Sequence, residues 1–160
     1  MGGNAACRWD PKANPARNAQ RMLPELARRF FVRGRKVARE KASPEDLHRL
    51  RLSAKQFRYT LELFRPVYGP GLERRLENLR TVQQKLGDAN DCATARELLL
   101  AGRDRKTRPA KAAVAFIESK AAALQEDFRT YWRGTFDAPG EERGWAGYLE
   151  RFAGRGRYRR

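Results

Sequence analysis

The chain has 160 residues, 35 Lys or Arg against 19 Asp or Glu, a net charge of +16 and a pI near 10.8. That length suits one domain with a respectable core, and that charge points to an anionic partner: nucleic acid, a membrane surface or a phosphate polymer. Two cysteines, Cys7 and Cys92, have neither zinc nor redox spacing and are too few for a disulfide framework; with no signal peptide and no apolar run near 20 residues, a cytoplasmic protein without membrane contact is the expectation.

In chain order, residues 1–15 read as an irregular or frayed leader. The first helix is expected from about Asn18 or Pro24 to Lys41. Leu23, Leu26, Ala27, Phe30 and Val37 form its apolar side, and Arg21, Arg28, Arg35 and Arg39 gather on another. Pro24 fits best in a first turn, which would leave Arg21 ahead of the regular helix.

The second helix has a clear start. Ser43 caps it, Pro44 suits its first position, and Glu45 and Asp46 complement its positive end. Its core face is Leu47, Leu50, Ala54, Phe57, Leu61 and Phe64, and it ends near Pro66, before the turn Tyr68-Gly69-Pro70-Gly71.

A third helix spans about Leu72–Ala101 with five basic and five acidic residues, and its buried edge runs from Leu72 through Leu86 to Leu98. Gly87 in its middle costs about 1 kcal/mol relative to alanine, which invites a reason such as close packing or a kink. Cys92 lies on the apolar side and reads as a small hydrophobe.

Gly102–Pro109 is a basic connector. A fourth helix over about Ala110–Thr135 carries Ala113, Phe116, Ile117, Leu124, Phe128 and Tyr131 as its core edge. A short amphipathic piece with Trp145, Tyr148, Leu149 and Phe152 follows, and an arginine-rich tail over residues 154–160 reads as disordered. No credible strand is visible. The fold class is therefore all-α: an antiparallel four-helix bundle over residues 16–153 with a short extra helix.

His48, the chain's single histidine, opens a stripe on the second helix, followed by Arg51, Lys55, Arg58 and Tyr59. At about 100° per residue these five side chains share roughly a third of the circumference. The row is about 16 Å long and suits an extended polyanion. A basic stripe is also what an ordinary solvated face looks like, and His48 could equally hydrogen-bond across to Asp88 or Asp91. Asp88, Asn90 and Asp91 are weak evidence for a metal site without a further oxygen cluster, so no metal and no cofactor is expected.

These residues resemble the CHAD domain, the conserved histidine α-helical domain. The resemblance rests on His-x-x-Arg-x-x-x-Lys-x-x-Arg-Tyr from His48 to Tyr59, then Leu-Gly-x-x-Asn-Asp-x-x-x-Ala-Arg-x-Leu-Leu from Leu86 to Leu99. It spans about residues 16–136. It implies an all-helical fold and non-enzymatic binding of inorganic polyphosphate through basic side chains. Carried over onto this chain, the ligand residues are Arg51, Lys55 and Arg58 first, with His48 and Tyr59 in the same motif. Arg21, Arg28, Arg35 and Arg39 come second, and Arg80 third.

Family domains usually contain two such bundles facing a central groove, whereas this chain has room for one, resembling the second half. Two arrangements satisfy that departure: a half-domain that forms a homodimer, or a piece of a longer chain. For the homodimer, Trp132, Phe136, Trp145, Tyr148 and Phe152 are the expected contact patch, because they exceed what one small bundle need bury. Association with polyphosphate granules would follow from polyphosphate binding. The alternatives are a non-specific nucleic-acid-binding protein, supported by charge and the Arg-Gly tail, and a polyphosphate-processing phosphohydrolase, which would need acidic metal ligands converging on the basic row.

Overall fold

Capping chemistry sets where the helices begin. The computed structural model of the chain describes residues 9–39, 41–151 and 153. Helix α1 spans Pro15–Arg39, and the Asn14 side chain accepts from the Arg17 amide at 2.8 Å ahead of it. This corrects the expected start at Asn18 or Pro24. Asn14 and Pro15 together supply a cap and a first-turn proline, and the helix runs on through a buried Pro24 with Arg21 inside it. Asn18, fully buried, ties residues 9–14 to α1: its side chain accepts from the Asp10 amide and donates to the Asp10 and Ala13 carbonyls. Residues 1–8 and 154–160, with the expected leader start, Cys7 and the tail, lie outside the described residues, as does the Phe152 side chain.

Helix α2 spans Pro44–Leu63, with Ser43 Oγ accepting from the Asp46 amide at 3.1 Å as its sequence suggests. A short α3, Arg65–Tyr68, and a 3-10 turn, Gly69–Leu72, reverse the chain. Gly69 has φ 70°, a conformation only glycine adopts cheaply. Helix α4 spans Glu73–Ala101 and α5 spans Arg108–Tyr131, the latter capped by Thr107. A π-helical turn, Trp132–Phe136, and then α6, Glu141–Arg151, complete the order. Among the described residues there is no strand. The fold is an antiparallel bundle of α1, α2, α4 and α5, with α6 laid along α1.

The core is aromatic at the α1–α5–α6 end. Phe30 and Phe31 of α1 meet Trp132 and Phe136 of the π-turn, and Trp145 of α6 closes the cluster. Gly34 makes the closest approach possible: a Cβ there would stand 1.9 Å from the Trp132 ring. The expected aromatic contact patch is thereby corrected. Trp132, Phe136 and Trp145 are 1%, 0% and 1% exposed, and Tyr148 is half-buried. One bundle does bury them, because α6 folds back over α1 and the π-turn instead of standing apart.

Two further positions differ from the helical-wheel reading. Phe116 and Leu98 are 69% and 70% exposed. The reason lies in helix length. Helix α2 begins beside Thr94 and Glu97, so the last turn of α4 extends past it. Apolar residues there keep the helical phase but have no third helix to cover them. Cys92 is buried, as expected.

Candidate anion-binding cleft

Helices α2 and α4 run antiparallel, and their facing side chains pair in order. His48 Nδ1 lies 3.2 Å from Asn90 Oδ1 at one end. Arg51 lies against Gly87, where an added Cβ would stand 3.5 Å from its Nε. Arg58 Nε donates to Gln83 Oε1 at 3.0 Å, and the Arg58 and Arg80 guanidiniums both donate to Glu62, at 2.8 and 3.4 Å. Between the helices is a cleft of about 480 Å³. Three arginines line it, Arg51, Arg58 and Arg80, together with Gln83, Gln84, Gly87 and two aspartates, Asp88 and Asp91. Among the described residues, no apolar side chain contributes to that lining.

The electrostatics vary along the cleft. At the Arg58–Arg80 end, the cations are already held by carboxylates. Hydrogen bonding to Glu77 first, then the charges of Glu77 and Glu62, raise the Arg80 guanidinium above its ordinary range against the opposing effect of burial. In the middle, Arg51 Nε is buried and has no hydrogen-bond partner among the described residues. A buried donor left unsatisfied costs about 1–3 kcal/mol, so this guanidinium has more to gain from an acceptor than its neighbours do. At the far end Asp88 accepts from Gln84 Nε2 at 2.8 Å, and Asp91 adds a second carboxylate to the lining.

The stripe residues divide by position. Arg51 and Arg58 line the cleft. Lys55 and Tyr59 lie beside it, with the Lys55 ammonium 5.8 Å and the Arg58 guanidinium 4.6 Å from the Tyr59 ring centroid. His48 sits in a separate shallow depression with Arg49, Asn90 and Glu97, and its partner is Asn90 rather than Asp88 or Asp91.

The arginine row of α1 goes elsewhere. Arg28 pairs with Glu25 and with Glu150 of α6. Arg35 makes a bidentate bridge to Asp137, at 2.7 and 2.6 Å, and also binds Glu142. Arg21 stands 3.8 Å from Asp10. Arg39 is exposed at the end of α1. The structure does not bring these four together with the α2–α4 cleft.

Sequence reasoning missed Glu62 and Gln83. Glu62 was within reach of pattern, being four residues after Arg58 on one helix. Gln83 was not, because its role depends on which helix packs beside α2. Among the described residues, no group of three or more His, Cys, Asp or Glu side chains is arranged to hold a metal ion, and no helix is long and apolar enough to cross a membrane.

No curated protein and no solved structure matches the chain. The CHAD domain family model matches residues 4–100, from ahead of α1 through almost the whole of α4, which is more than half of the chain. The match contains α2 and α4, the two helices that form the cleft, and the chain belongs to the CHAD domain family.

Proposed function

We propose that the chain binds inorganic polyphosphate in the α2–α4 cleft and catalyses no reaction on it. One observation carries this reading: a cleft with a polar lining brings together three arginines, Arg51 and Arg58 from its α2 wall and Arg80 from its α4 wall, and the Arg51 Nε is buried without an acceptor among the described residues. Polyphosphate offers a repeating row of charged oxygens and no apolar surface. Guanidiniums bind such oxygens by charge-assisted hydrogen bonds, and the release of condensed counterions adds a salt-dependent driving force, as it does for nucleic-acid backbones. Arg51 is the leading ligand. Arg58 and Arg80 contribute by rearranging around Glu62, and Lys55 and His48 extend the path beyond the cleft. Asp88, already engaged by Gln84, acts in orienting the wall.

The test is a competition among long-chain polyphosphate, single-stranded DNA and duplex DNA at matched phosphate concentration and two salt concentrations. Polyphosphate should win at both, and Arg51→Ala with Arg58→Ala should abolish that preference while leaving helicity unchanged. Equal competition by DNA would replace the reading with non-specific nucleic-acid binding. Release of orthophosphate that depends on a divalent metal and is abolished in Asp88→Asn or Asp91→Asn would replace it with an enzyme.

A further inference from the structure

Helix α2 has a second groove on its other flank, against α1, and its chemistry is different. Two depressions of about 430 and 390 Å³ run along it and share Arg33 and Ser53. The accessible apolar residues of its floor are the half-buried Met22, Leu26 and Val37 of α1; beneath them Phe30, Leu50 and Phe57 belong to the core, 2%, 2% and 5% exposed. Leu52 is 48% exposed at the edge of the groove. The rims are basic, with Arg33 and Lys36 on α1 facing Arg49 on α2, all three exposed. Arg33 crosses the middle of the groove to donate to Ser53 Oγ at 2.9 Å. Among the described residues the single carboxylate lining it, Asp46, accepts from Ser43 Oγ.

We propose that this groove docks an acidic amphipathic helix of a partner protein. An apolar floor is wasted on inorganic polyphosphate, which has no hydrocarbon to bury, and burying apolar area is the main source of affinity in helix-in-groove recognition. From Met22 to Val37 the two depressions together run for about 22 Å, the length of about 15 helical residues, and a helix seated on both requires the Arg33 side chain to leave Ser53 and turn to the rim. Such a helix lays residues i, i+4, i+7 and i+11 on the floor. Glutamates or aspartates on its flanks then meet Arg33, Lys36 and Arg49. The net charge of +16 steers an acidic partner toward the chain, and the apolar floor selects the pattern. None of these three cations lines the α2–α4 cleft, so the two surfaces are separable by mutation.

The experiment uses the full chain and two fluorescent 16-residue peptides of one composition, rich in leucine and glutamate. One places leucines at i, i+4, i+7 and i+11; the other disperses them around the helix. Binding is read by anisotropy at physiological ionic strength. The patterned peptide should bind at least tenfold tighter than the dispersed one. Arg33→Glu with Arg49→Glu, and separately Leu52→Asp, should each weaken it at least tenfold, with circular dichroism confirming that both variants fold. Arg51→Ala should leave peptide binding unchanged. Equal affinity for both peptides would show a charged surface without helix recognition and overturn the proposal. So would a drop in polyphosphate affinity in Arg33→Glu with Arg49→Glu as large as in Arg51→Ala with Arg58→Ala, which would assign the groove to the polymer.

Discussion

Gly87 joins the stability of α4 to the shape of the cleft. Its place in mid-helix suggests close helix packing or a kink; the structure places the Arg51 guanidinium against it instead. A methyl group at that point would be in ordinary contact, so Gly87→Ala should lower the helix cost by about 1 kcal/mol. That corresponds to a rise in Tm of about 2–4 °C for a chain of this size. The same methyl covers part of the cleft floor, so polyphosphate affinity should fall while the melting temperature rises. A thermal melt and a titration on one sample measure both, and a stabler variant with unchanged affinity would show that the ligand does not reach the floor. Gly34 behaves in the opposite way. Its Cβ would enter the Trp132 ring, and Gly34→Ala should cost about 3 kcal/mol of stability, read as a lower urea midpoint.

At the scale of elements, Arg28 and Arg35 of the α1 arginine row hold the C-terminal part of the chain. Arg35 carries the largest share, through three charge-assisted bonds to Asp137 and Glu142. Those bonds, Asp137 first, raise its guanidinium above the usual range in spite of burial. Arg35→Ala should cost about 2 kcal/mol in a denaturant titration and leave polyphosphate binding intact. Weaker polyphosphate binding at unchanged stability would return the α1 row to the ligand surface.

This row marks the boundary of what the sequence makes legible. Helix existence, the Ser43-Pro44 start of α2 and the glycine turn after α3 are local, and local chemistry reveals them. The wheel also puts Arg51 and Arg58 on one face of α2, and both line the cleft, whereas Lys55, Tyr59 and His48 of the same stripe lie outside it. The wheel gives no neighbours. Whether an arginine row meets phosphate or a carboxylate on α6, and whether an aromatic run is surface or core, depends on which helix lies opposite. The same holds for Phe116 and Leu98, whose exposure follows from where α2 begins.

For the whole molecule, charge and assembly are linked. Removing one phosphate-binding cation should flatten the slope of log affinity against log salt by about 0.7, the value for a single-stranded polyanion. Arg51→Ala with Lys55→Ala removes two, so the slope should fall by about 1.4, and an unchanged slope would mean that the stripe is only a solvated face. A homodimer that completes a two-bundle arrangement is a proposal with a changed basis. Three of the aromatic residues expected to drive it, Trp132, Phe136 and Trp145, are inside the core and supply no apolar attraction between chains. Two chains of +16 also repel one another. Assembly must then come from the ligand, with one polymer spanning the clefts of two chains. Without polyphosphate the chain should be monomeric at low salt. Adding polymers long enough to reach both clefts should produce a symmetric dimer, whereas oligophosphates of a few units should bind one protein each. Excess long polymer should dissolve the dimer again by occupying each cleft separately. Light scattering across polymer length and stoichiometry reads all of these states. A monomer throughout, with tight binding at one polymer per protein, would show that a single bundle is the complete binding unit.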